Sequence, residues 1–267
     1  MGAVVDPWLA LAAFLVELAG GPPLTSLDPG PSAACPDDMR LVDGTHYDSM
    51  YHVCLDARPG EKKRKHCFGY AEGISLLEGP ETPIRVCMDQ FEWPNRRGAE
   101  PAVLESFESA DKQCRKIGKR MCSEQEWELA CEGPRHQPLA YGWSVNVKLC
   151  NSGKEWRPVD FAAFDGERDR ARRETRKLWQ GAKSGSYATC VSPFGVYDLT
   201  GNVEEWVATR PGRKFPGALM GGFWAKPWTG CRGTNDAHQP GFAFYETGFR
   251  CCKDPSSAPS APAASGR

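Results

Sequence analysis

Twelve cysteines run from Cys35 to Cys252, and no other feature constrains the fold of this chain so much. Their number is even, and they are dispersed rather than grouped as Cys-x-x-Cys pairs. Zinc sites use clustered pairs, so this spacing speaks against one. Dispersed, even cysteines point to disulfides and to an oxidising, extracytoplasmic compartment, periplasmic or secreted. The competing reading, buried free thiols in a cytosolic protein, is the less favoured. A length of 267 residues allows a substantial core. With 28 glycines and 22 prolines, the pattern favours short elements joined by many loops. A net charge of −1 excludes a global field that would draw nucleic acid or an anionic membrane.

The ends differ from the middle. "PWLALAAFLV" near the N-terminus is an apolar run of signal-peptide length, too short to span a bilayer. No Lys or Arg precedes Arg40, so the basic start of a signal peptide is missing, and an ordinary N-terminal helix is the alternative. "SAAC" resembles a lipoprotein cleavage box and makes Cys35 a candidate lipid anchor. Residues 21–34 form a Pro/Gly/Ser linker, and 255–267 are a low-complexity tail expected to be disordered. The expected organisation is an N-terminal segment over 1–34, one folded domain over 35–254, and the tail.

Two helices are legible. Val103, Phe107, Ala110, Cys114 and Ile117 recur at helical spacing, with Gly118 as a stop. Ser123 and Glu126 form a capping box that starts a second helix, with Trp127, Ala130 and Cys131 on one face. The densely charged stretch 165–177 reads as a solvated helix or an inserted loop, and 61–66 as an exposed loop. "FGVYDLTGNVEEW" (194–206) reads as strand, turn, strand, with oxygen-bearing residues converging on the turn.

Four stretches occur in order: "CMDQFEWPN" (87–95), "GKRMCSEQEWELACEGP" (118–134), "FGVYDLTGNVEEW", and "GGFW" followed by "GFRCC". Together they resemble the sulfatase-modifying-factor family, whose founding member is the formylglycine-generating enzyme. The match covers about 85–252. The resemblance implies an α+β domain with little regular secondary structure, a variant of the C-type-lectin-like fold. It also implies the bridges Cys131–Cys231 and Cys114–Cys251, with Cys252 as a rival for the latter. Cys150 and Cys190 flank the charged insert and are a further candidate pair.

The resemblance places calcium at the turn, through the side chains of Asp198 and Glu205 and the carbonyls of Gly201 and Val203. Calcium favours such a mixture of carboxylates and carbonyls. The alternative is a hairpin capped by Asp198, with Glu205 in a salt bridge. Asn151 is a candidate ligand for a second calcium.

The founding enzyme holds Cu(I) between two cysteines five residues apart, and soft thiolates suit that ion. With Cys231 in the structural position, the copper positions fall near Gly221 and Lys226, neither of which carries a thiol. Copper, and with it formylglycine formation, is therefore not expected. The histidines (His46, His52, His66, His136 and His238) form no iron-binding pattern and default to surface loops. Trp224, Lys226, Trp228, Arg232, Asn235, Asp236 and His238 fall where the resemblance puts a substrate groove for a peptide or small ligand, though the tryptophans read equally well as core. The reading is an exported, calcium-stabilised binding or accessory module, or an enzyme of unassigned chemistry. One alternative is a metal-dependent oxidase that recruits Cys251 and Cys252; another is a lectin-like ligand-binding module.

Overall fold

The computed structural model describes residues 30, 32–59, 65–226 and 230–256. The apolar run at the N-terminus, Trp228 and most of the C-terminal tail lie outside these residues. No helix among the described residues is long and apolar enough to cross a membrane.

The chain opens with a long antiparallel hairpin, β1 (Met39–Pro59) against β2 (Lys65–Asp89), in a register from Met39 opposite Asp89 to Pro59 opposite Lys65. Its two halves differ. The base carries Met39, Val42, Ile84, Val86 and Met88, all buried. The distal half leaves Tyr51, Leu55 and Leu76 more than half exposed and is stapled by Cys54–Cys67. Lys65 and His66 belong to β2 rather than to the expected exposed loop, and 61–64 lie outside the described residues.

Helix α1 (Phe107–Lys116) is capped by Ser106, so Val103 precedes it, and Ile117 is its exposed C-cap. The apolar face is therefore shorter than the spacing suggested, with Ala110 and Cys114 at its buried centre. Strand β3 (Arg120–Met121) leads to α2 (Glu124–Glu132), where Ser123 and Glu126 form the expected reciprocal cap. Trp127, Ala130 and Cys131 are fully buried. Close contact between Leu129 and Gly44 lays α2 against the hairpin base. The charged insert forms α3 (Arg168–Leu178), which sinks Ala171, Thr175 and Leu178 on one side.

The remaining strands are β4 (Glu204–Ala208), β5 (Gly217–Met220), β6 (Thr234–Asn235), β7 (Thr247–Phe249) and β8 (Cys251–Lys253). They complete two four-stranded sheets, β1-β2-β8-β3 and β6-β5-β4-β7. The main core lies between these sheets around Trp127, with Val86, Met88, Val196, Val207 and Met220. The fold is the α+β arrangement expected, with short elements apart from the hairpin. Before β4, the stretch at 194–206 makes only a single bridge, Val191 to Tyr197, so its expected first strand is a turn instead.

All twelve cysteines are paired: Cys35–Cys87, Cys54–Cys67, Cys114–Cys251, Cys122–Cys252, Cys131–Cys231 and Cys150–Cys190. Cys252, the rival for Cys114, is bonded to Cys122 instead. The lipid-anchor expectation for Cys35 fails on simple valence. A lipoprotein cysteine carries its lipid as a thioether, and the Cys35 sulfur is bonded to Cys87.

Candidate functional site

The turn between Asp198 and Glu205 gathers buried charge. Asp198, Gly201 and Asn202 all adopt positive φ, at 62°, 77° and 55°. That sequence of left-handed residues folds the chain back on itself, and glycine and asparagine are the residues that tolerate it. A Cβ on Gly201 would lie 2.5 Å from the Asn151 carbonyl oxygen, so only glycine fits. Asp198 accepts the Gly185 N–H at 2.6 Å.

Asn202 is the hub. Its Nδ2 donates to both oxygens of Glu92, at 2.8 and 2.9 Å, and its Oδ1 accepts from Asn151 Nδ2 and the Ala182 N–H. Glu92 also accepts the Ser184 hydroxyl at 2.6 Å. Asn151 donates to the Gln180 carbonyl too, so its amide group is a structural bridge. Glu205 accepts two bonds from Arg250, at 2.5 and 2.6 Å, and one from the Trp127 indole at 2.8 Å. Arg250 is completely buried and also donates to the Tyr197 carbonyl.

Charge is unbalanced here. Glu92, Asp198 and Glu205 are buried carboxylates, and Arg250 is the guanidinium bonded within the group. Burial, and then the neighbouring Asp198 and Glu205 carboxylates, push Glu92 well above the usual carboxylate range. Burial pushes Asp198 to about 7, against the opposing pull of Arg250. The group therefore needs further positive charge, supplied either by protons or by a cation. In charge, it suits a divalent ion. In donors, the match is partial, because Arg250 and Trp127 already engage both Glu205 oxygens. Among the described residues, no set of three or more His, Cys, Asp and Glu side chains is arranged to hold a metal, so backbone carbonyls would have to share the work.

The residues expected to line a groove separate. Trp224 is 1% exposed and packs in a core with Leu178, Phe223 and Tyr245. Lys226 pairs with Glu204 at 2.6 Å. Glu246 is adjacent: its carboxyl is buried, one oxygen has no hydrogen-bond partner, and burial with the Glu204 charge raises it to about 8. His238 stacks on Phe242 with ring centroids 3.8 Å apart, and burial lowers its affinity for a proton. Arg232 instead binds Glu132 on α2, Asp236 pairs with Arg213, and Asn235 lies in β6 opposite Leu219.

Helix α2 presents Glu124, Glu128 and Glu132 at intervals of four, each buried and each paired with an arginine. His46 is fully buried against Glu128 at 2.6 Å, which overturns its surface-loop expectation. Glu204 and Glu205 point to different partners, Lys226 and Arg250, as strand alternation requires. Sequence reasoning missed Glu92, Asn202 and Arg250 as members of the buried group. All three lie inside the quoted motifs, and a charged or amide residue set among aromatics was the signal.

Residues 41–255 match the family described as the sulfatase-modifying factor enzyme 1-like domain. The chain belongs to this family. A mouse relative, "Inactive C-alpha-formylglycine-generating enzyme 2", is 27% identical over 160 residues, which are 57% of this chain and 48% of that protein. The chain thus spans about half the length of the curated relative it matches. Among solved structures, CarF is similar at 15% identity with a TM-score of 0.50, covering 83% of this chain and 99% of that one. PvdO from Pseudomonas aeruginosa is similar at 18% identity, covering 84% of this chain and 97% of that one, with a TM-score of 0.46. The likeness to CarF concerns the fold alone. The two bridges that the resemblance implies, Cys114–Cys251 and Cys131–Cys231, are both formed in this chain.

Proposed function

We propose that this chain is an extracytoplasmic member of the family that binds or assists rather than oxidises. The observation that carries the reading is the pairing of every cysteine. Cu(I) needs thiolates, and six disulfides leave none. The oxidase alternative depends on Cys251 and Cys252, whose sulfurs are bonded to Cys114 and Cys122. The printed name of the mouse relative, an inactive enzyme, agrees with this reading. Six disulfides also suit an oxidising compartment. The test is an anaerobic Cu(I) titration of the protein, followed by an assay for formylglycine in a cysteine-containing sulfatase peptide. No stoichiometric site and no conversion are expected. A tight two-thiolate site with turnover would overturn the reading.

A structural calcium ion belongs to the same proposal. Asp198 and Glu205 would hold it, with the carbonyls of Gly201 and Val203, and the excess buried negative charge supports it. Asn151 is the candidate ligand for a second ion. Calcium would neutralise the buried group and fix the turn. Equilibrium dialysis against calcium, with and without Asp198→Asn, tests this. Binding that is lost in the variant is expected, and no binding by the parent protein would remove calcium from the reading.

A further inference from the structure

Five of the six disulfides are sealed in the interior, with their cysteines at most 8% exposed. Cys54–Cys67 is different: Cys54 is exposed and Cys67 is half-buried. This bridge staples the far end of the hairpin, where Cys54 to Pro59 pairs with Tyr70 to Lys65. That end is a ladder of its own. The pairing jumps from His52–Ser75 to Cys54–Tyr70 and leaves residues 71–74 of β2 opposite Val53 alone. Two strands by themselves are marginally stable in water. The ties of this end to the body include the Tyr70 N–H to the Trp143 carbonyl at 2.9 Å and the Val145 N–H to the Phe68 carbonyl at 2.8 Å. Both are made by β2, so β1 relies on its partner strand and on the bridge.

The surroundings of the bridge define what it meets. Val53 and Leu55, on either side of Cys54, are 44% and 71% exposed, and Tyr51 is more than half exposed two residues earlier. These residues lie on β1, the edge strand of its sheet. A small thiol needs no apolar strip beside the sulfur it attacks, whereas the centre of a protein interface is apolar and aromatic. Lys65 is exposed and lies two residues before Cys67 on β2, so alternation puts the two on one face. A nearby cation favours the thiolate form of a cysteine, here the one released when Cys54 is attacked.

We propose that Cys54–Cys67 is a thiol–disulfide exchange site for a protein dithiol of the Cys-x-x-Cys class, which docks on the apolar strip of β1 and opens the end of the arm. One thiolate of the dithiol attacks the Cys54 sulfur. The bond to Cys67 breaks with its electron pair on Cys67, leaving a mixed disulfide and the Cys67 thiolate. The second thiol of the reductant then attacks its own neighbour in the mixed disulfide and expels Cys54. The reductant leaves as a disulfide, and two electrons and two protons have passed to the arm. The buried bridges keep the body closed meanwhile. The site needs neither copper nor calcium, and its failure would leave the reading of the chain as a binding or assisting module intact.

The oxidised full chain, without denaturant, is treated with reduced thioredoxin or with dithiothreitol, and the freed thiols are alkylated and located by peptide mass spectrometry. Cys54 and Cys67 should be alkylated at least ~100-fold faster than the other cysteines, because the buried bridges must wait for the domain to open. A thioredoxin lacking its resolving cysteine should be trapped on Cys54. Leu55→Ser, at an exposed position where folding is not at risk, should slow reduction by thioredoxin about tenfold, the value of one partly buried leucine contact, and leave the dithiothreitol rate unchanged. Amide hydrogen exchange over 54–58 and 66–70 should accelerate after reduction, while that of β4 and β5 stays as it was. Reduction of a buried bridge first, an adduct on Cys67, a Leu55→Ser variant that treats both reductants alike, or unchanged exchange in the arm would overturn the proposal.

Discussion

Glu246→Gln should make this protein more stable at alkaline pH. The Glu246 side chain is 8% exposed, one of its oxygens has no partner, and it shares its neighbourhood with the Glu204 carboxylate. Burial, and then that charge, raise it from 4.5 to about 8 in the folded state. The folded chain therefore keeps a proton that the unfolded chain releases. Wherever the folded state binds more protons, stability falls as pH rises. The loss begins near the unfolded value and is complete above the folded one. From 4.5 to about 8, at ~1.4 kcal/mol per pH unit, it reaches about 5 kcal/mol. Glutamine keeps the shape and cannot ionise. Urea unfolding of both proteins across this pH range, with disulfides intact, measures the difference. The parent should lose stability relative to the variant as pH rises, with the curves converging in acid. Curves that stay parallel from acid to alkaline pH would refute the assignment, since Asp89 and Asp198 contribute equally to both proteins.

Three further outcomes are expected. Removing Cys114–Cys251, which spans 137 residues, should cost about 5 kcal/mol, against about 3 kcal/mol for Cys54–Cys67, which spans 13; double Cys→Ala variants in denaturant titrations compare them. Ser123→Ala breaks the reciprocal cap of α2, in which Ser123 and Glu126 bond at 2.7 and 3.1 Å, and should lower stability by about 1 kcal/mol in the same assay. Gly201→Ala should cost about 3 kcal/mol or more, because a positive φ and a contact with the Asn151 carbonyl oppose any Cβ; its thermal midpoint should fall well below that of Gly212→Ala, where φ is also positive but space is open.

What the sequence revealed depended on how local the determining physics was. The α2 cap is written in four consecutive residues, Ser123 to Glu126, and its geometry follows from them alone. Val103 fits the helical spacing of α1 but lies before it, because Ser106 caps the helix, whereas the stop at Gly118 stands where the spacing puts it, directly after the Ile117 C-cap and at positive φ. The hairpin was illegible because its distal half faces solvent on both strands, and an irregular register interrupts the alternation that marks a half-buried strand. His46 looked like a loop histidine because its partner, Glu128, is 82 residues away. Trp224 was balanced between groove and core, and long-range packing against Trp179 and Tyr245 decided for core. The buried carboxylates were visible as residues, but their convergence on Arg250 depends on tertiary structure.

The bridges also set an order of events during synthesis. Cys54–Cys67 and Cys35–Cys87 join positions 13 and 52 residues apart, so the arm has its own covalent staples early in the emergence of the chain. Cys114 and Cys122 must wait, because their partners are Cys251 and Cys252 on the last strand. Until that strand arrives, two thiols eight residues apart have no correct partner. Closure of the body is thus a terminal act, made by two adjacent residues at once. A ribosome that stopped short of Cys251 would release a finished arm on an unsealed domain.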